Sequence, residues 1–430
     1  MAGAVMEPAY RTSLRALRAE DHITWRDRSF PDGDVAITDV AAQRWNLLDG
    51  TFHLPVMALR RSALDRNLSL MRDYCLAHDV LLAPHAKTTM SPHLAAEQLD
   101  AGAWGITVAN VEQARVFISA GVRRLLIANP VVGAADLTYL AVQRRIDPDL
   151  DVLTLIDSDA AVEIMDTALR ELGEDLPRMP VLIEVGYAGG RGGVRTTADA
   201  MDVADAVRRS QHLELVGIEG FEGLVPGDTV DDQRRRAKTF LSWSASVVHR
   251  LHERELLSRD TPIVSFGGSS FFDLVVSCFR DEWVGPRVDV VLRSGCYLTH
   301  DHGIYARTSP LLHQAPGPLP AVEVWGEVLS CPEPNLAVVG VGRRDVSTDA
   351  GLPIPIAVRR ARVTREPVGL QVTAVNDQHA FVAVSGGDEL QVGDLVCFGV
   401  SHPCTTFDKW RLIPLITEDH EVIDAIRTYF

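Results

Sequence analysis

The chain has 430 residues, 46% apolar, 23% charged and 6% aromatic, and 42 basic against 58 acidic side chains give a formal net charge of −16. That apolar fraction excludes a disordered or low-complexity chain, and the length suits a barrel with a smaller partner domain. So acidic a surface argues against a nucleic-acid partner and against binding to an anionic membrane, both of which need a positive face.

Residues 1–50 read as a polar, irregular N-terminal extension with a short helix near 12–20. Its first twenty residues mix Glu7, Arg11, Arg15, Arg18 and Glu20 with short apolar pieces, which is not the pattern of a secretory signal. No apolar run approaches the ~18 residues of a membrane span. The six cysteines are scattered and form no CxxC pair, the usage of a reducing compartment, so a cytoplasmic location is expected.

Residues 53–60 form an apolar strand, and Leu64, Leu68, Met71 and Cys75 then recur at helical spacing. From residue 79 short apolar runs alternate with helical stretches. The runs are 80–84, 104–109, 124–129, 152–157, 181–185, 214–219, 263–266 and 288–293. Ser91-Pro92 opens one intervening helix and Gly102 closes it; Asn110 with Gln113 opens the next and Gly121 closes it. Apolar strands alternating with helices predict parallel strands buried on both faces. Eight such units predict an α/β fold, a (β/α)8 TIM-type barrel over residues 51–300, in preference to an open doubly wound sheet. After residue 320 the strands AVEVWGEVL, NLAVVGVG, IAVRRARV, LQVTAV, HAFVAVSG and DLVCFGV follow one another through turns. They predict a β-rich C-terminal domain, 301–430, ending in a short helix at 417–427. The strand at 52–60 precedes the barrel and is read as joining this domain.

In such a barrel the chemistry sits at the C-terminal ends of the strands. The chain has only three lysines, and Lys87 alone follows a barrel strand directly; Lys238 lies on a solvated helical face and Lys409 near the C-terminus. An amine at a barrel mouth can be desolvated and made nucleophilic. The fifth strand runs into a glycine-rich loop containing Tyr187 and Arg191. The seventh runs into Gly267-Gly268-Ser269, whose backbone N–H groups suit an anion. The eighth ends in Arg293-Ser294-Gly295-Cys296-Tyr297, and the nearby His300-x-His302 could bind metal but reads in preference as a solvated or structural pair. A lysine, a phosphate loop and inward arginines together suggest pyridoxal phosphate. Farther on, His402 and Cys404 at i and i+2 would face one side of an extended strand and could share a Zn²⁺ or another divalent ion. A core cysteine beside a polar histidine is the competing reading.

The text PHAKT at 84–88, followed by AAEQLDAGAWGITVANVEQARVFISAGVRRLLIANPVV, resembles the D-threonine aldolase and D-serine dehydratase family. The resemblance covers roughly residues 52–412. It implies pyridoxal phosphate enzymes of the alanine racemase fold, usually homodimers, acting on small D-amino acids. Lys87 then corresponds to the Schiff-base lysine and catalytic base. The implied cofactor-binding set is Lys87, His85, Arg191, Tyr187, Gly267, Gly268, Ser269, Arg293 and Tyr297. Gly186 and Ala188 replace an Asp and a Gly usual before the arginine, and Glu219 and Phe221 replace a Gln and a Tyr. Two residues after the metal histidine the aldolase branch carries Asp and the dehydratase branch Cys. His402-x-Cys404 therefore implies a dehydratase-like lyase that eliminates a β-hydroxyl and gives a keto acid and ammonia. Aldolase and racemase activities are the alternatives.

Overall fold

A computed structural model of the protein describes residues 8–173, 176–386 and 389–430. The chain divides into two compact units. The first holds residues 8–10, 72–87 and 97–295, and the second holds 11–71, 88–96 and 296–430.

The first unit is built on eight parallel strands, Leu81–Leu82, Ile106–Val108, Arg124–Pro130, Asp151–Ile156, Met179–Val185, Leu213–Gly220, Ile263–Phe266 and Asp289–Leu292. The last pairs with the first, Val291 opposite Leu81. The ring closes through a bridge between His85 and Thr107 and a hydrogen bond from the Trp104 N–H to the Leu82 carbonyl. Ala83, Leu126, Leu153, Leu155, Leu182, Val216, Ile263 and Val291 fill its interior. These strands are apolar almost without interruption because both faces are covered, which is why they could be read from composition. Helix entries follow local chemistry. The Asn110 side chain accepts from the Gln113 N–H at 2.9 Å, and Thr196 and Asp199 form a reciprocal capping box. Gly102 and Gly121 take positive φ where their helices stop.

The second unit centres on a mostly antiparallel sheet. Val322–Glu333 pairs with Leu395–Gly399 on one side and Val56–Arg60 on the other, and Val56–Arg60 also pairs with Leu412–Ile416. Trp325, Cys397, Leu412, Ile416 and Ala425 share a core with Ile23, Phe30, Ile37, Val40, Leu47 and Phe52. Apolar residues spaced through the polar early segment are thus buried.

The helix expected at 417–427 is instead the strand Val422–Arg427, paired with Leu412–Ile416. The spacing of Val422, Ala425 and Ile426 fits helical periodicity, but a tight turn decides the outcome. His420 takes φ +61, and the Thr417 N–H bonds the Glu421 carbonyl, folding two apolar runs into a hairpin. Among the described residues no helix is long and apolar enough to cross a membrane.

Candidate functional site

In the barrel unit a cavity of about 160 Å³ opens at the C-terminal ends of the strands, lined by His85, Lys87, Ala109, Ala128, Asn129, Arg191, Phe221, Gly268 and Arg293. The barrel's geometry gathers these residues, since each lies at or just past the end of its own strand. Lys87 sits in a single 3₁₀ turn, Ala86–Thr88, after the first strand. The other two lysines are tied elsewhere, Lys238 to Glu282 at 2.7 Å and Lys409 to Asp408 at 3.1 Å. Five of the expected cofactor residues therefore line one cavity: His85, Lys87, Arg191, Gly268 and Arg293. Gly267 and Ser269 flank Gly268 in the chain. Tyr187 lies outside the lining and packs edge-on against Phe240, with ring centroids 5.4 Å apart. Tyr297 is buried in the second unit.

Arg293 is fixed from behind. It forms a buried ion pair with Glu219 and donates to the Gly220 carbonyl at 2.6 Å. The Gln-to-Glu replacement at 219 thus supplies a counter-charge. Burial raises the Glu219 carboxyl, and Arg293 opposes that rise. Arg191 lies over the Phe221 ring, 5.2 Å from its centroid. Burial, together with the nearby Lys87, Arg293 and Arg191 charges, holds the His85 imidazole well below its ordinary pKa, so it is neutral.

The backbone N–H groups of the loop after the seventh strand are already engaged by a carboxyl group whose pKa burial raises. The Gly267 and Gly268 N–H groups donate to the two oxygens of buried Glu222, at 3.1 and 2.7 Å. The N–H groups expected to face a phosphate meet the Glu222 side chain instead, a partner that sequence reasoning did not assign. A Cβ on Gly268 would lie 2.6 Å from the Phe221 ring. The loop after the fifth strand is organised by Arg195, which donates to the carbonyls of Gly190, Arg191, Gly192 and Gly193. Any side chain at 186 would collide with that guanidinium, which gives a physical reason for glycine there.

A second cluster lies wholly in the other unit. One ligand atom each from Cys296, His402 and Cys404 falls within 4.8 Å of the others. The two sulfurs are 3.4 Å apart, and the Thr88 hydroxyl lies 3.2 Å from Cys404 Sγ and 3.5 Å from Cys296 Sγ. His402 Nδ1 meets Asp349 Oδ2 at 2.9 Å, and its backbone carbonyl accepts from Ser347 Oγ at 2.8 Å. Burial opposes charge on His402, but Cys296 and Asp349 outweigh it and push the imidazole up to about 9. The extended-strand rationale for His402 and Cys404 is not how they meet. The strand ends at Gly399 and Cys404 opens the short helix Cys404–Phe407, so a turn brings both donors toward Cys296. Asp349 and Cys296 carry no local signal that links them to His402. His300 and His302 lie outside the Cys296, His402 and Cys404 group. Burial, then mutual repulsion, lowers His300 to about 4, and neither joins a ligand group among the described residues.

Comparisons with known proteins follow the same division. Residues 59–270 match the "Alanine racemase, N-terminal domain" model and residues 321–416 the "Putative serine dehydratase domain" model. The chain is 26% identical over 355 residues to D-threonine aldolase of an Arthrobacter species, spanning 82% of this chain and 86% of that one. It is 33% identical over 162 residues to D-threo-3-hydroxyaspartate dehydratase of a Delftia species, 38% of this chain and 40% of that one. The fold is shared with D-threonine aldolase from Filomicrobium marinum, at TM-score 0.73 and 24% identity, over 87% of this chain and 94% of that one. It is shared with the Delftia dehydratase at TM-score 0.69 and 23% identity, over 88% and 98%.

Proposed function

We propose that this chain, whose residues 59–270 match the alanine racemase N-terminal domain and residues 321–416 the putative serine dehydratase domain, is a pyridoxal phosphate lyase that dehydrates D-β-hydroxy amino acids, in the manner of D-serine dehydratase. The observation that carries this reading is the pairing of His402 with Cys404, oriented by Asp349 on Nδ1. The relatives include both a dehydratase and aldolases, so homology alone leaves the reaction open. Solved structures of D-threo-3-hydroxyaspartate dehydratase include a histidine-to-alanine mutant and a cysteine-to-alanine mutant described as metal-free. They support a metal role for a cysteine in such enzymes.

The cavity fits pyridoxal phosphate. It carries a lysine amine, two guanidinium groups and a glycine where a Cβ would meet the Phe221 ring. Two buried nitrogens of lining residues, His85 Nδ1 and Arg293 Nε, lack a hydrogen-bond partner. When bound, the cofactor supplies an electron sink for charge developing at the substrate Cα. Lys87 would hold it covalently and then, once freed, take the Cα proton. Its position at a strand end, on a backbone fixed by the barrel, gives that proton transfer a defined geometry. Arg191, in the cavity lining, would meet an anionic group, and the Gly267–Ser269 loop would take the phosphate once Glu222 releases the Gly267 and Gly268 N–H groups. Arg293, held by Glu219, presents a cation whose orientation is set before substrate arrives.

The second cluster fits a divalent ion of the zinc type, held by His402 and Cys404, which would supply Lewis-acid assistance to the departing β-hydroxyl. The net reaction loses water across Cα and Cβ and regains it as the imine product hydrolyses, giving a keto acid and ammonia. Homodimeric assembly is part of the proposal and is read by sedimentation.

The test is a product assay on D- and L-β-hydroxy amino acids, with and without chelator. Keto acid and ammonia from D-substrates, lost on chelation, are expected. Glycine and an aldehyde would make the enzyme an aldolase, and the enantiomer of the substrate would make it a racemase.

A further inference from the structure

The metal motif visible in the sequence offers two donors, but the fold delivers three. We propose that Cys296 is itself a metal ligand, so that the site is a Cys₂His centre of soft donors with one exchangeable position. The proposal rests on the reading that this cluster holds a divalent ion.

Geometry carries the argument. Two thiolates bound to one tetrahedral zinc at ~2.3 Å each lie ~3.8 Å apart. Cys296 Sγ and Cys404 Sγ are 3.4 Å apart without any rearrangement, and the imidazole completes a triangle no wider than 4.8 Å. An ion bound to Cys404 and His402 therefore has Cys296 Sγ within a few tenths of an ångström of bonding distance. Cys296 is 5% exposed and faces Cys404, the Thr88 hydroxyl, His402 and Tyr305.

The surroundings fit thiolate ligation. Thr88 Oγ1 reaches both sulfurs and can donate to a sulfur that has lost its proton. Asp349 occupies His402 Nδ1 and so leaves Nε2 for the metal, the arrangement that fixes tautomer and ring direction. Two thiolates and a neutral imidazole cancel the charge of a divalent ion, which a buried site favours. The donor set also predicts selectivity, because thiolate-rich sites favour Zn²⁺ and Co²⁺ over the hard ions Mg²⁺ and Mn²⁺. A site with only His402 and Cys404 would need substrate or solvent for half its coordination. A third protein ligand holds the ion between turnovers.

The experiment uses the full-length, cofactor-loaded protein, stripped of metal by chelator under reducing conditions and refilled with Co²⁺ or Zn²⁺. Co²⁺ should give an intense near-ultraviolet sulfur-to-cobalt band. In Cys296→Ser and in Cys404→Ser that band should each fall by about half, with Zn²⁺ affinity lowered about 100-fold or more. X-ray absorption on the zinc-loaded wild-type protein should show two sulfur neighbours, a result that requires no variant to fold. Mn²⁺ should bind at least about 100-fold more weakly than Zn²⁺. One sulfur neighbour, or a cobalt band and Zn²⁺ affinity unchanged by Cys296→Ser, would overturn the proposal. So would equal affinity for Mn²⁺ and Zn²⁺. Failure here with dehydratase activity intact would leave the proposed function standing. Two sulfurs without any lyase activity would do the reverse.

Discussion

The two clusters of chemistry in this chain are built on different principles. The barrel cavity is assembled by repetition. Seven of the eight strand ends contribute one or two residues, so chain order and site position are linked, and Lys87, Arg191, Gly268 and Arg293 meet because their strands belong to one closed sheet. The thiol–imidazole cluster follows no repeat. Its two cysteines are 108 residues apart and its second-layer carboxylate, Asp349, is 53 residues from His402. A repeating scaffold makes a site predictable from local text, whereas a site made by loops crossing between distant segments is visible only once the chain is folded.

The sharpest way to break that division is to remove the lysine. Lys87→Ala should lower turnover at least ~10³-fold, since both covalent attachment and a positioned base are lost. Metal content should not change, because the thiol–imidazole cluster lies in the other compact unit. Borohydride fixation in the wild-type protein should label Lys87. Label on Lys238 or Lys409 would move the cofactor site. Next in size is Gly268→Val. The new side chain would meet the Phe221 ring, and an overpacked contact of this kind costs about 1–3 kcal/mol, so cofactor affinity should fall up to ~100-fold. Equilibrium titration with pyridoxal phosphate reads this. Unchanged affinity would place the phosphate elsewhere.

On the other side of the comparison, Asp349→Asn removes the charge that orients His402 while keeping the shape. Metal affinity should drop about tenfold, with the cofactor's absorbance unaltered. A loss of cofactor with the metal retained would contradict the separation of roles.

The same contrast explains what the sequence disclosed. Eight apolar runs and the residues after them were legible because a barrel strand is buried on both faces and its end is a fixed address. Glu222, Arg195 and Cys296 were not. Glu222 satisfies the Gly267 and Gly268 N–H groups from 45 residues away or more, and nothing in its local pattern marks a carboxylate as a backbone partner. Arg195 acts only on carbonyls, which every residue has. Cys296 could have been noticed as a thiol at the end of the eighth strand in a chain with six cysteines, but its partners are set by the turn at 400–404. The hairpin at the C-terminus escaped for a related reason. Apolar spacing there suits helix and strand alike, and the left-handed residue at His420 decides between them.

The smallest effect separates the two units by the sign of their pH dependence. In the barrel, burial, then the nearby Glu219 and Asp157 charges, pushes Glu184 up to about 7. In the β-rich unit Glu323 is also buried, but His420, Arg60 and the Trp325 N–H outweigh burial and pull it down to about 2. A carboxyl raised in the folded state holds a proton that the unfolded chain, with a carboxyl near 4.5, has released. Glu184 therefore costs stability progressively as pH rises from about 4.5 to about 7, and the cost stays constant above that. Glu323 does the opposite: its contribution is complete above about 4.5 and disappears as pH falls toward 2. Glu184→Gln should match the wild type below pH 4.5 and exceed it by about 1 kcal/mol above pH 7, a value below the full linkage because the side chain retains contact with solvent. Glu323→Gln should be the less stable protein throughout the neutral range and converge on the wild type only in acid. Urea midpoints measured across pH 4–8 distinguish the two. If both variants shift stability in one direction at pH 8, the buried carboxylates of the two units do not differ as their surroundings require.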